Sequence, residues 1–224
     1  MSESLPEVLA LTPAEALQFL VEQAEARIGD ERVVIGLAGG PGVGKSTLAT
    51  ELVAALNAKT PGIAAYVPMD GFHMRHARLV ALGTDKDKGM PHTFEGEAFA
   101  AFLAGLKVAT GPVNGPGYSR AIEDVVEDQF TVPAGAKVLV AEGNYLLVAN
   151  SPWWQVRPLL DFAAFIDVPR ETVRARLMKR HAEHGLFSEE RNREHIERVD
   201  LANYDLVGRS KGRADVVIEM VTEG

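Results

Sequence analysis

The chain has 224 residues, of which 46% are hydrophobic and 24% are charged, so it can bury a sizeable core and is not a disordered protein. Its formal net charge of −8 disfavours a nucleic-acid-binding surface, and the absence of cysteine excludes disulfides and thiolate metal sites. The N-terminus lacks a signal-peptide pattern, and no window approaches the roughly 18 apolar residues of a bilayer span. These features favour a single-domain cytoplasmic protein, residues 1–224, with neither a membrane nor a nucleic-acid partner.

The first predicted helix begins at Thr12 and Pro13. Threonine can cap a helix, proline suits the first turn, and Glu15 can close a capping box. Apolar residues then recur at helical spacing and predict one buried face: Leu17, Leu20, Val21, Ala24 and Ile28.

A glycine-rich loop follows a predicted strand at about residues 32–38 and precedes a helix that runs to about Ala58. Glycines let backbone amides approach an anion closely, and the positive end of the helix adds to this attraction. Lys45 can bridge the terminal phosphates of a nucleotide, and the Ser46 hydroxyl can ligate Mg²⁺. The alternative, a turn that binds nothing, fits the strand–loop–helix context less well. The predicted phosphate-binding residues are Gly39, Gly40, Pro41, Gly42, Val43, Gly44, Lys45, Ser46 and Thr47.

The second predicted strand, at about residues 63–67, delivers Asp70 to its carboxyl end. Ligands bind at this edge of open α/β sheets, so Asp70 is placed to meet a substrate. The alternative is that Asp70 only caps the next helix, which is predicted from His73 to Leu82. The polar connector from Gly83 to Phe94 is long, and loops of this length are typically functional or disordered.

A helix with an inward apolar face is predicted from Glu97 to Lys107. Residues 118–124 and 128–133 then predict two short strands around a turn, forming a small antiparallel ribbon. Together these elements predict a substrate-side insertion at about residues 71–133.

The third sheet strand is predicted at residues 137–143, where apolar residues run into Glu142 in the manner of a Walker B strand. Glu142 could hold a Mg²⁺-bound water, or it could simply end the strand. A helix is predicted to begin at Ser151–Pro152, and two further strands are predicted at residues 162–168 and 215–219.

Two basic helices precede the last strand. The first is predicted from Pro169 to about His184, residues 185–187 break it, and Ser188 caps the second. Arginines are concentrated here in an otherwise acidic chain, which predicts a lid at about residues 174–200 that closes over phosphates. The alternative is a pair of solvated helices with ion pairs such as Glu194 to Arg198.

Together these residues indicate phosphoryl transfer, whose charged transition state needs positioning and charge neutralisation. Lys45, Ser46 and Glu142 would serve the donor, while Asp70 would orient an acceptor hydroxyl and take its proton. The chain lacks the Asn-Lys-x-Asp element of Ras-type GTPases. A small-molecule kinase is therefore favoured, and the alternative is a nucleotide-hydrolysing switch or accessory ATPase that acts through a protein partner.

Five segments form a recognisable set in sequence and order: Gly39–Thr47, Met69–His73, Lys88–Glu95, Pro116–Arg120 and Val140–Leu147. Through these segments, and over about residues 30–220, the chain resembles the uridine kinase, phosphoribulokinase and bacterial pantothenate kinase group of P-loop kinases. Within that group it most resembles the bacterial nucleoside/nucleotide kinase-like proteins known as fructose-transport-system kinases.

This resemblance implies a three-layer α/β P-loop NTPase fold. It implies a five-stranded parallel sheet in the order 2-3-1-4-5, a small antiparallel ribbon and a helical lid. It also implies use of ATP and Mg²⁺, with Asp70 as the catalytic base and Glu142 as the Walker B acid. Arg180 would be a lid arginine, and Arg213 would lie in a tail segment near the adenine.

The acceptor pocket is predicted between Asp70, the loop at residues 86–94 and the segment at residues 118–120. A sugar such as fructose and a nucleoside both stay open as acceptors. The choice between ATP and GTP and the oligomeric state, a homodimer included, also stay open. The predicted substrate contacts are His73, Lys88, Tyr118 and Arg120.

Overall fold

The computed structural model describes residues 5–184 and 188–221 of the chain. The strands in these residues are β1 (Glu7–Leu11), β2 (Val33–Ala38), β3 (Ala64–Pro68), β4 (Val113–Ser119), β5 (Asp124–Val132), β6 (Val138–Gly143), β7 (Phe162–Asp167) and β8 (Val216–Met220). Within the described ranges, six of them form one parallel sheet in the order β1-β8-β7-β2-β6-β3, and β4 and β5 form an antiparallel pair.

Apolar runs form the central strands because both faces of the sheet are covered. One face packs on a buried cluster that includes Leu20, Leu52 and Val173. The other face packs on a second cluster, which includes Phe99 and Trp153. The result is the predicted three-layer α/β arrangement, with helices on each side of a parallel sheet.

The predicted strand count was wrong by one, although the predicted order is confirmed. The five expected strands lie in the order β3-β6-β2-β7-β8, which is the expected 2-3-1-4-5. The sixth strand, β1, adds to the edge by pairing in parallel with β8, from Glu7 opposite Val216 to Leu11 opposite Met220. Four of its five residues are apolar, but the run is short and largely exposed, and its partner lies about 200 residues away in sequence, so local patterns did not reveal it.

The helices of the described ranges begin near their predicted positions. At the first helix, the predicted capping box is confirmed, since Thr12 Oγ1 accepts from the Glu15 amide (3.3 Å) and Glu15 Oε2 accepts from the Thr12 amide (2.9 Å). Ile28 lies beyond the end of this helix and is exposed, contrary to the prediction. The helices are α1 (Pro13–Glu25), α2 (Lys45–Lys59), α3 (His76–Leu82), α4 (Gly96–Val108), α5 (Arg170–His184), α6 (Glu189–His195) and α7 (Leu201–Gly208).

The antiparallel pair is present, but its first strand was misplaced in the sequence prediction. β4 begins at Val113, inside the glycine- and proline-rich stretch, and the turn covers residues 120–123. Glycine is needed in this strand because a Cβ at Gly115 would lie 2.2 Å from the Phe130 ring. The glycine- and proline-rich composition therefore predicted no strand here, although the glycines of β4 are needed to leave room for the side chains of β5.

Two helix predictions were inaccurate: one helix begins later than predicted, and the other is only a short 3₁₀ turn. A 3₁₀ turn spans Met69–Phe72, and His73 then forms an extended bridge with Phe94, so α3 begins only at His76. A 3₁₀ turn at Trp153–Gln155 replaces the helix predicted from Ser151–Pro152.

The basic helices α5 and α6 follow β7. Ser188 caps α6 as predicted, accepting a hydrogen bond from the Arg191 amide (3.3 Å). A π-helical turn, Ile196–Asp200, then leads into α7. The predicted break at residues 185–187 lies outside the described residues. In the two described ranges, no helix combines the length and the apolar character needed to cross a bilayer.

Candidate active site

The glycine loop lies between the end of β2 and the start of α2. Gly39, Gly42 and Gly44 adopt φ values of 150°, 76° and 99°, which side chains disfavour. A Cβ at Gly39 would also lie 2.5 Å from the carbonyl oxygen of Ile166. The loop can therefore form only with glycine at these positions, and it presents backbone amides at a helix N-terminus, an arrangement that fits the phosphates of a nucleotide.

Lys45, the first residue of α2, is buried beneath this loop with 6% of its surface exposed. Its Nζ donates hydrogen bonds to the Gly40 carbonyl oxygen and to Asn144 Oδ1, both at 2.8 Å. Burial lowers the pKa of Lys45, and the carboxylates of Glu142 and Asp70 oppose that shift. The ammonium group is thus held at the loop by uncharged acceptors, which phosphate oxygens would outcompete.

Glu142 lies at the end of β6 beside the glycine loop, level with Leu37 of β2. It is 3% exposed, and Tyr66 donates a 2.7 Å hydrogen bond to its Oε1. Burial raises the pKa of Glu142, the Asp70 carboxylate adds to the rise, and Lys45 opposes it. The carboxylate is therefore held next to the phosphate loop in a setting where a bound cation would compensate its charge.

The donor set around the loop fits Mg²⁺ held largely by phosphate oxygens and water. Mg²⁺ is commonly bound through one or two protein oxygens plus substrate phosphates. Ser46 follows Lys45 at the start of α2, and its hydroxyl lies close enough to Glu142 to lower the pKa of that carboxyl. Within the described residues, no three His, Cys, Asp or Glu side chains form a group that could hold a metal ion.

Asp70 lies in the 3₁₀ turn that follows β3, at the same sheet edge. The N-cap of α3 is Arg75, so the alternative that Asp70 caps this helix does not hold. Asp70, Lys45 and Glu142 line one large cavity. The charge of Asp70 acts to raise the pKa of both Lys45 and Glu142. The sheet edge thus brings one carboxylate from each of two strands to the phosphate loop.

The residues predicted to contact the acceptor line the same cavity, which has a volume of about 1140 Å³. The His73 ring lies against Phe94 and Tyr118, with centroids 3.8 and 4.6 Å apart. Lys88 Nζ lies 5.2 Å from the Tyr118 ring centroid and donates to the Glu123 carbonyl oxygen. Arg120 lies at the turn between β4 and β5. The structure therefore brings the loop at residues 84–94 and the β4–β5 hairpin into the cavity that the glycine loop also lines.

The arginines of α5, α6 and the π-helical turn that follows them divide into two groups. Arg170, Arg174 and Arg193 form surface ion pairs with Asp205, Glu197 and Glu189 respectively. A second group lines the large cavity, namely Arg176, Arg180, Arg191 and Arg198.

The cavity-lining arginines contact both the glycine loop and the loop at residues 84–94, which we call the acceptor-side loop. Arg176 Nη1 lies 3.4 Å from the Val43 carbonyl oxygen of the glycine loop. Arg198 donates to Asp87 Oδ1 (2.7 Å) and to the Lys86 carbonyl oxygen. Burial lowers the pKa of Arg180, and the neighbouring charge of Arg120 adds to that shift. The basic helices and the π-helical turn therefore contact both the glycine loop and the loop at residues 84–94.

A second cavity of about 320 Å³ lies on the other side of the glycine loop. It is lined by Gly40, Tyr204, Arg209 and Lys211 among others, and so includes part of the tail segment predicted to lie near the adenine. Arg213 lies outside the lining of both cavities, and its Nη1 donates to the Leu147 carbonyl oxygen at 2.8 Å.

Sequence reasoning missed several polar residues of the site. Tyr66 and Asn144 bond directly to Glu142 and Lys45, while Tyr145 and Asn203 bond to the carbonyl oxygen of Gly89 in the acceptor-side loop. The position of Asn144, two residues after the Walker B acid, was the one local signal. The other contacts join residues 56–114 positions apart, so they became visible only in the fold.

A phosphate loop with a buried lysine, two acidic strand ends and an arginine-lined cover together define a P-loop phosphotransferase. A profile of the family described as "Phosphoribulokinase / Uridine kinase family" matches residues 34–224. The chain therefore belongs to the phosphoribulokinase/uridine kinase family, and it is an ATP-dependent kinase of small molecules.

Individual relatives agree with this assignment. The chain is 34% identical over 198 residues to "Putative uridine kinase C227.14" of Schizosaccharomyces pombe, an alignment that covers 85% of this chain and 84% of that protein. It is 31% identical over 136 residues to a pantothenate kinase of Latilactobacillus sakei, covering 60% of this chain and 44% of that protein.

A solved structure shows the same fold over nearly the whole chain. It is the "putative fructose transport system kinase" from Silicibacter sp. TM1040, with a TM-score of 0.82 and 32% identity. The superposition covers 93% of this chain and 99% of that one.

Proposed function

We propose that this kinase transfers the γ-phosphoryl group of ATP to a hydroxyl of a small metabolite, a sugar such as fructose or a nucleoside. The observation that carries the proposal is the position of Asp70, whose carboxylate lines one cavity with Lys45 and Glu142. A hydroxyl held beside Asp70 would face phosphates held at the glycine loop. This is the geometry that in-line phosphoryl transfer requires.

In the donor half, the loop amides and Lys45 hold the phosphates of ATP. The adenine ring lies in the second cavity near Lys211, and Arg213 holds the tail segment that contains Lys211 through its hydrogen bond to the Leu147 carbonyl oxygen. Ser46 and Glu142 hold Mg²⁺, directly or through water. When bound, Mg²⁺ supplies charge neutralisation on the phosphate oxygens.

In the acceptor half, Asp70 orients the attacking hydroxyl and accepts its proton. His73, Lys88, Tyr118 and Arg120 bind the rest of the metabolite from the loop and the hairpin. Their rings and charged groups offer both stacking and hydrogen bonding, which suits a polar, hydroxyl-rich compound.

The helices at residues 174–200 act as the lid of the site, with Arg180 directed toward the transferred group. Closing this cover excludes water, which protects ATP from hydrolysis. Residues 71–133 serve as the substrate-side insertion of a single catalytic domain. We place the reaction in the cytoplasm, where ATP and small metabolites are available.

The decisive experiment compares the Asp70→Asn variant with wild type in an ADP-release assay across sugars, nucleosides and pantothenate. We expect one acceptor class to stimulate ADP release from the wild type, and the variant to lose about 10²–10⁴-fold in kcat because the base is gone. Binding of a non-hydrolysable ATP analogue should change by less than about threefold.

Asp128→Asn is the matched control, because Asp128 is exposed on the hairpin at φ 51°, a conformation that asparagine accepts. It should retain full turnover. Retained turnover in Asp70→Asn would refute the assigned role of Asp70. If no acceptor stimulates ADP release and a protein partner does, the nucleotide-dependent switch replaces the kinase reaction.

A further inference from the structure

Two adjacent residues, Asn144 and Tyr145, make hydrogen bonds with the lysine of the glycine loop and with the acceptor-side loop respectively. Lys45 Nζ donates to Asn144 Oδ1 at 2.8 Å. Burial raises the pKa of the neighbouring Tyr145 hydroxyl, the nearby Asn144 side chain opposes that rise, and the hydroxyl donates to the carbonyl oxygen of Gly89. Two adjacent residues thus connect the donor side of the site with the loop that faces the acceptor.

The Gly89 carbonyl is also held from the helical cover. Asn203 of α7, which is buried, donates from Nδ2 to the same oxygen at 2.8 Å. Gly89 adopts φ 101°, and a Cβ there would meet Val199 at 3.4 Å. The loop is therefore fastened at one backbone oxygen by groups that come from two different elements.

Phosphate binding must disturb the hydrogen bonds that Lys45 now makes. Two of the three hydrogens on Lys45 Nζ are already directed to Gly40 and Asn144, and bridging two phosphates needs at least two of them. The Gly40 acceptor is backbone within the tight glycine loop, whereas the Asn144 acceptor is a side-chain amide that can rotate. Asn144 is therefore the partner that gives way.

A displaced Asn144 side chain changes the surroundings of the Tyr145 hydroxyl, because the two residues are adjacent and Asn144 influences the pKa of that hydroxyl. The Tyr145 ring is fully buried against Phe94 and Trp153, with centroids 5.3 and 5.0 Å apart, so it cannot swing away. What can change is the hydrogen bonding of its hydroxyl, and with it the hold on Gly89.

We propose that Asn144 is a positioning residue that couples nucleotide binding at Lys45 to the conformation of the acceptor-side loop, residues 84–94. Nucleotide binding thereby adjusts the acceptor pocket before the acceptor enters. This inference rests on the phosphate-binding role proposed for Lys45, and it adds a link between the two halves of the site.

Hydrogen exchange of the loop amides, with and without a non-hydrolysable ATP analogue and Mg²⁺, tests the coupling. The Met90 and Thr93 amides, which bond to the carbonyl oxygens of Asp87 and Met90, are suitable probes. In the wild type we expect the analogue to change their exchange rates by at least about fivefold. In Asn144→Ala the change should fall below about twofold.

Tyr145→Phe removes the hydroxyl while keeping the buried ring, so it should also lose the exchange effect while binding the analogue within about threefold of wild type. Asn114→Ala, at an exposed amide of the hairpin, is the matched control and should respond like the wild type. A full exchange response in Asn144→Ala or in Tyr145→Phe overturns the coupling. No response in a wild type that binds the analogue overturns it as well. Failure of the wild type to bind the analogue would instead overturn the proposed function.

Discussion

Two buried charges of opposite sign, Lys45 and Glu142, lie where β2 and β6 meet the glycine loop. Burial lowers the pKa of the lysine and raises that of the carboxyl, so each charged form is disfavoured by its surroundings. Each also favours the other through its charge. At the scale of single residues, the site is thus a set of costly charges that nucleotide phosphates and a cation would compensate.

The stability of the protein should depend on pH through His73. Burial lowers the pKa of His73 from its ordinary value of 6.5; Asp70 opposes this shift, and Lys88 and Arg120 add to it. Below pH 6.5 the unfolded chain therefore binds more protons than the folded one, so stability is lost as pH falls. We expect His73→Asn to flatten this loss by up to about 1.4 kcal/mol per pH unit.

Urea unfolding at a series of pH values between about 7.5 and 5 measures this effect. The control is His76→Asn, at an exposed histidine that begins α3, and it should preserve the wild-type slope. An unchanged slope in His73→Asn would show that His73 titrates alike in the folded and unfolded chain.

Gly71, next to Asp70, should tolerate no side chain. A Cβ there would lie 1.8 Å from the Pro116 carbonyl oxygen of β4, a backbone atom that cannot turn aside. We expect Gly71→Ala to destabilise the protein by about 1–3 kcal/mol, measured by urea unfolding, and to lower kcat by displacing Asp70.

Gly105 provides the opposite case. It lies in α4, and among the described residues outside its own stretch of helix no atom lies within 4 Å of the place that a Cβ would take. Gly105→Ala should therefore stabilise the protein by about 0.5–1 kcal/mol and leave kcat unchanged. Equal effects of the two substitutions would contradict the close approach of Gly71 to the hairpin.

At the scale of elements, α5 and α6 present arginines in two directions. One set pairs with surface acids, and the other lines the large cavity beside the glycine loop and the loop at residues 84–94. Surface ion pairs contribute little to stability, so the first set fits the alternative of solvated helices. The second set has the position expected of a catalytic cover.

Arg180 and Arg193 separate these roles. Arg180 lines the cavity, while Arg193 forms an exposed pair with Glu189 on α6. We expect Arg180→Ala to lower kcat on the order of 10²-fold or more because a charge near the transferred group is lost, and Arg193→Ala to change it less than about twofold. Steady-state kinetics with a saturating acceptor measures both, and similar small effects would favour the solvated-helix interpretation.

At the scale of the whole molecule, parallel strands bring distant residues to one edge. The carboxyl ends of β2, β3 and β6 are adjacent in the sheet, so the glycine loop, Asp70 and Glu142 meet there although more than 100 residues separate the first from the last. Because residues so far apart in sequence meet only in the folded chain, a ligand that binds at this edge stabilises the whole fold by mass action.

Thermal unfolding should report that linkage. A non-hydrolysable ATP analogue with Mg²⁺ at 100 times its Kd should stabilise the folded state by about 2.7 kcal/mol. At the same concentration, Asp70→Asn should keep this shift, because the role proposed for Asp70 concerns the acceptor and not the nucleotide. Lys45→Ala should lose most of it, and a full shift in Lys45→Ala would contradict the placement of the phosphates.

The glycine loop and the strand ends could be read from sequence because their signals are local. An apolar run, a glycine pattern and a following helix lie within about 25 residues, and Asp70 and Glu142 each follow an apolar run directly. The order of the five central strands came from the resemblance of these segments to known kinases, and it is confirmed.

Tertiary structure alone decided what joins these local units. Strand β1 exists because β8 offers a free edge, and the glycines of β4 form a strand because the side chains of β5 fill their space. The contact of Asn144 likewise depends on the position of Lys45, and that of Tyr145 on where the loop at Gly89 is folded. Sequence by itself determined the fold class and the glycine loop, since these depend on neighbours along the chain. The edge strand and the contacts across the cavity depend on pairings between distant residues, which no local pattern encodes.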